Sequence, residues 1–180
     1  MSEEIVLNDW NPSEETLRRW AFDNNIFLAD QDEDLLLGHR DYFSTLIPLA
    51  DDPTCPKSDY ILSCLDFHLM FIVLRGNETH LTELPEAIRL ADASTQAKLH
   101  EWASLLRRRL AYRQGIGPVD REKALEMGRE LLNGICRQSE ISIVSESADT
   151  WTVQLSVPPL HRHKEFLRIN KQSGNFVFSR

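Results

Sequence analysis

After residue 139 the spacing of apolar residues changes from about 3.6 to 2. In "TWTVQLSVPP", Trp151, Val153, Leu155 and Val157 alternate with polar residues without a miss. A helix would scatter these residues around its circumference. A strand collects them on one face, and clean alternation means one face is buried and the other solvated. "EISIVSE", "KEFLRIN" and "NFVFS" carry the same signal. Gly174 in the "KQSG" connection can supply the positive φ of a hairpin turn. The pattern predicts a four-stranded antiparallel meander at the C-terminal end.

Upstream the period is helical. "NPSEETLRRWAFDNN" opens with Asn11 as a cap and Pro12 in the first helical position, then places Leu17, Trp20 and Ala21 on one stripe. A second helical region begins at Asp30, and Pro48 should end or kink it near Ile47. "SDYILSCLDFHLMFIVLRG" is predicted to be a central helix, started by Ser58 and stopped by Gly76, with Asp59, Ser63 and Asp66 on its one polar face. A short helix near Pro85 follows, then a long one with Ser94 at its start and Gly115 at its end, burying Leu99, Trp102, Leu106 and Leu110. A sixth helix should place Leu125, Leu132 and Ile135 against the sheet.

The fold expected is α+β: a bundle of about five helices, then a C-terminal helix packed on the meander. "GIGPVD" divides a helical part, 1–116, from a helix-plus-sheet part, 117–180; the two are either separate or one continuous globule.

Charge is the strongest functional signal. Residues 1–90 hold 6 Lys and Arg against 18 Asp and Glu, net −12, and residues 91–180 hold 14 against 10, net +4. A chain of net charge −8 repels phosphate backbones, so nucleic acid is not the expected partner. No apolar run approaches the ~18 residues of a membrane span. The acidic start "MSEEIVLNDW" lacks a signal peptide's positive region, and three cysteines without framework spacing fit a reducing compartment. A cytoplasmic location is expected.

Four groups of residues invite chemistry. Cys64 and His68 lie about 40° apart around a helix, close enough to share a zinc ion with Cys55 and a distant His39 or His80. C-x₂₋₄-C spacing is missing, however, and the wheel places His68 deep in the apolar face, where a core histidine and a small apolar cysteine suffice. Asp30, Asp32 and Asp34 match calcium-loop positions 1, 3 and 5, but Leu35 stands where glycine is needed and Asp41 where a bidentate glutamate is needed. His161, His163 and Glu165 would project from one strand face and could hold a catalytic metal, although Pro158 and Pro159 favour a turn there. Arg107, Arg108, Arg109 and Arg113 gather near a helix C-terminus, where they would meet the acidic first half of the chain.

No nucleophile elbow, phosphate loop or motif of a known family stands out. The function expected is a non-catalytic cytoplasmic interaction module of the inhibitor, immunity or adaptor type, without a cofactor. It would present an acidic helical surface, including Asp30, Asp32, Glu33, Asp34, Asp51 and Asp52, to a basic protein. Two alternatives are a metal-dependent enzyme on His161, His163 and Glu165, and a small-ligand module with Trp102 and Trp151 as wall residues.

Overall fold

The computed structural model describes residues 12–23, 37, 39–76, 81–132, 140–156 and 165–179. Helices α1 (Glu14–Phe22), α2 (Phe43–Asp51), α3 (Ser58–Arg75), α4 (Leu84–Asp92), α5 (Ala97–Gln114) and α6 (Arg121–Leu132) precede strands β1 (Glu140–Glu146), β2 (Thr150–Ser156), β3 (Glu165–Asn170) and β4 (Phe176–Ser179). The α+β arrangement is the one the change of period predicts. By packing, the chain divides into two units: Met1–Leu69 with Thr82–Ser104, and Met70–Leu81 with Leu105–Arg180. The division runs through α3 and α5.

In the first unit α2 packs against α1 and α4. Leu17, Trp20, Leu46, Ile61, Leu65, Leu84 and Leu99 are fully buried there. Helix α1 is capped by Ser13, whose Oγ accepts from the Thr16 amide at 3.2 Å, so the cap lies two residues beyond the expected Asn11. Pro48 does not end its helix: α2 continues through it to Asp51. Pro48 and Ser44 are both exposed, so the carbonyl that loses its proline partner lies on the solvent side.

Two helix ends are closed from far along the chain. Lys57 Nζ donates to the carbonyls of Trp20 (2.6 Å) and Asp23 at the end of α1, and the Cys55 thiol donates to Ala21 O at 3.6 Å. At the start of α5, the Asp51 carboxylate accepts from the Ser94 hydroxyl and from the amides of Thr95 (3.3 Å) and Gln96 (3.1 Å). Burial pushes the Asp51 carboxyl up, but the Ser94 hydroxyl and the two amides outweigh it and hold it below its ordinary value.

In the second unit the sheet order is β1-β2-β3-β4, antiparallel throughout. Trp151, Val153, Leu155, Leu167, Ile169 and Phe176 form its buried face. Val144 is an extra residue between the Ile143–Val153 and Ser145–Thr152 pairs, a bulge that turns it outward. Helix α6 covers β1 and β2, but its contact face is rotated from the one expected. Ala124, Met127, Gly128, Leu131 and Leu132 are buried, Leu125 is only half-buried, and Ile135 lies outside the described residues. Gly128 allows the close approach: a Cβ there would stand 2.7 Å from Val153 Cγ1 and 3.0 Å from Ile141 Cγ2. Gly174, at φ 71°, supplies the turn conformation the sequence suggests.

Two outcomes follow from this packing. Asp51→Ala should lower unfolding free energy by about 1–2 kcal/mol in urea titration at pH 7, with Asp51→Asn retaining part of it. Because the folded carboxyl sits below the ordinary 3.8, its contribution is present above that value and is lost as pH falls through the folded one. The gap between wild type and Asp51→Asn should therefore shrink on acidification. Gly128→Ala should destabilise by about 1–3 kcal/mol through overpacking, despite a better helix propensity, and Val153→Ala in the same chain should recover part of the loss.

Candidate functional site

Among the described residues, those that the sequence singles out as possible metal ligands do not form a cluster. In the first unit Cys55 and Cys64 are buried, and the Cys55 thiol is occupied with the Ala21 carbonyl. Burial pushes the Cys55 thiol up, away from the thiolate a metal or a nucleophile requires. His68 is half-buried, not deep in the core as the wheel suggests, because α3 keeps a broader partly exposed side that also includes Phe67 and Phe71. His39 is exposed at the start of a short 3₁₀ turn, Arg40–Tyr42, and His80 lies outside the described residues. Among the described residues, no three His, Cys, Asp or Glu are grouped so that they could hold a metal ion.

Asp30, Asp32, Glu33 and Asp34 lie outside the described residues, and Asp41 is exposed in the 3₁₀ turn. Asp51 is committed to the start of α5. Asp52 folds back on its own loop, accepting from Thr54 N at 2.8 Å and Thr54 Oγ1 at 2.7 Å, and these bonds hold its carboxyl below the ordinary value. His161 and His163 are likewise outside the described residues, while Glu165 begins β3 with its side chain buried on the face shared by Leu167 and Ile169. Trp102 is buried and donates its indole N–H to Asp66 Oδ1 at 3.0 Å in the first unit. Trp151, in the second, donates to Val119 O at 2.9 Å. Each is a core residue with its polar atom satisfied.

The arginine-rich end of α5 has a different role from the one expected. Arg108 Nε pairs with Glu130 Oε1 at 2.8 Å, Arg109 Nε donates to Glu130 O at 2.7 Å, and Arg113 donates to Phe176 O at 3.4 Å while lying over that ring. Three of the four arginines are thus bonded to α6 and β4 of their own unit. Spacing alone could not show this, since Glu130 lies 22 residues from Arg108.

Arg108 also lines an open cleft of about 510 Å³ within the second unit. Helix α5 contributes Arg108, Ala111 and Tyr112; the following loop contributes Ile116 and Pro118; the first turn of α6 contributes Asp120 and Lys123. The loop is pinned from behind, with Gly117 N donating to Ser173 O at 3.0 Å and Val119 N to Lys171 O at 2.8 Å. Asp120 is spent on the helix, its Oδ1 accepting from the Lys123 amide at 2.8 Å.

Tyr112 is 2% exposed, and its hydroxyl lies 3.4 Å from both Glu126 Oε1 and Lys123 Nζ. Lys123 Nζ pairs with Glu126 Oε1 at 2.8 Å and sits 5.3 Å over the phenol ring. Burial, then the Glu130 and Glu126 carboxylates, push the Tyr112 phenol well above its ordinary 10, so it stays neutral. Lys123, by contrast, holds the Glu126 carboxyl down. The cleft therefore has an apolar wall, a neutral phenol and two cations on exposed stems. Comparison with protein-family models, with curated proteins and with solved structures finds no match to this chain.

The phenol gives a direct readout. In an alkaline absorbance titration Tyr112→Phe should leave the phenolate signal gained up to about pH 11 unchanged, because Tyr112 stays neutral there. Stability should fall above pH 10, because the unfolded chain releases this proton before the folded one does.

Proposed function

We propose that the chain is a non-catalytic cytoplasmic interaction module, of the inhibitor, immunity or adaptor kind, that offers an acidic helical surface to a basic protein. The supporting observation is the distribution of charge over the two units. Met1–Leu69 with Thr82–Ser104 holds 19 acidic and 6 basic residues, net −13; Met70–Leu81 with Leu105–Arg180 holds 9 and 14, net +5. Together they give the chain's −8. The packed division thus separates the charges further than the midpoint of the sequence does.

Solubility asks for a net charge of only about 2–8 in a small domain, and a larger one costs stability through self-repulsion. Basic groups in the acidic unit pair locally, Arg18 with Glu14, Arg89 with Glu86 and Lys98 with Asp59, and this pairing leaves the excess unchanged. A field of this sign steers a basic partner and rejects acidic ones. A cytoplasmic setting agrees with three cysteines that lack framework spacing.

Asp30, Asp32, Glu33 and Asp34 are the acids assigned to the partner; Asp51 is left to its helix and Asp52 to its own loop. The test is capture from the protein's own cell at low salt, then affinity measurement with the purified captured protein. Binding should weaken about tenfold or more between about 50 and 500 mM salt, and by a similar factor when Asp30, Asp32, Glu33 and Asp34 are changed to their amides, with the melting temperature unchanged. An affinity indifferent to both salt and neutralisation, or no saturable partner at low salt, would refute the proposal.

A further inference from the structure

The second unit carries a possibility that the acidic surface does not absorb: the cleft beside Tyr112. Its volume, about 510 Å³, lies within the range of small-molecule sites. One wall, from Ala111, Ile116 and Pro118, is apolar and held in place by the backbone bonds behind the loop. Arg108 and Lys123 also line it, together with Asp120, whose Oδ1 is held by the Lys123 amide at 2.8 Å.

Neither cation is locked away. The Arg108–Glu130 pair has side-chain exposures of 48% and 19%, and the Lys123–Glu126 pair 35% and 45%. Ion pairs this open to water contribute little to stability, so exchanging one carboxylate for another costs little. A guanidinium has five N–H donors in a planar fork, and Arg108 spends Nε on Glu130. Its terminal amino groups are the ones suited to a second carboxylate.

We propose that this cleft binds a small organic monoanion, a carboxylate on a flat apolar body. The carboxylate would lie between Arg108 and Lys123, and the body along Ile116, Pro118 and Ala111. Other ligand classes fit less well. A divalent cation would face Arg108 and Lys123. Inorganic phosphate would leave the apolar wall unused. The site lies in the net positive unit, so it is independent of the acidic surface and does not depend on the reading above.

The test is a titration of the full chain, labelled with ¹³C at isoleucine δ1 and alanine β methyls, with benzoate and phenylacetate, and with benzamide as the uncharged counterpart. The Ile116 and Ala111 methyls should shift saturably with the carboxylates at about millimolar affinity. Benzamide should bind about tenfold more weakly or worse. Arg108→Gln and Lys123→Met should each weaken benzoate binding about tenfold, whereas Arg18→Gln, an exposed cation of the other unit, should leave it unchanged. Two variants guard against one of them disturbing the Tyr112 network. Failure of both methyls to shift saturably with either carboxylate would overturn the proposal. So would equal binding of benzamide, or benzoate affinity unaltered in both cleft variants.

Discussion

Helix ends govern the first unit. Every helix begins with amides and finishes with carbonyls that its own ladder cannot satisfy. Here two of these ends are closed by side chains remote in sequence: Asp51 serves the start of α5 from 45 residues away, and Lys57 and Cys55 serve the end of α1 from 34 to 37. Each bond does two things. It removes a buried or half-buried polar debt, and it fixes one helix end to the loop or helix that carries the side chain. The turn between α2 and α3 thereby ties together α1, α2 and α5, which apolar packing alone would leave free to slide. Hydrophobic burial supplies most of the stabilisation, but it is non-directional; these bonds choose the register.

The same contacts decide which acids are available for anything else. Asp51 and Asp52 are absorbed by backbone and hydroxyl donors, and Asp66 by the Trp102 indole. Asp51 and Asp52 lie among the acids that look most like a surface patch in the sequence, yet they serve local structure. Nineteen acids against six bases leave a large surplus after these are set aside. That surplus is what the proposed attraction of a basic protein would draw on.

Periodicity made the architecture readable, since a period of 2 or 3.6 follows from backbone geometry alone. Trp151, Val153 and Leu155 are buried as their alternation demands, and the glycines at 76, 115 and 174 have positive φ where helices or the hairpin turn. Failures came wherever a tertiary contact outranked a local rule. Pro48 stays inside α2 because its side of the helix faces water. Gly128 sits at the centre of the α6 contact, where apolar residues were sought, because the sheet approaches too closely for a side chain. Arg108 meets Glu130 instead of an acid of the first half because α5 and α6 fold beside each other. The cleft was hidden for the same reason: its cations and apolar wall come from 16 positions of sequence whose local signals read only as helix, turn and helix.

The chemistry of that cleft also bears on whether it could be an active site. A general acid or base works best when its pKa lies near the operating pH. Here the neighbours push the two groups apart: Tyr112 rises because burial and two carboxylates oppose its ionisation, and Glu126 falls because Lys123 favours it. Both move away from neutrality, so each keeps one protonation state across the physiological range. A network arranged this way fixes charge and hydrogen-bond direction and is poorly placed to relay a proton. Fixed charge and fixed hydrogen-bond direction are what the proposed anion site would require.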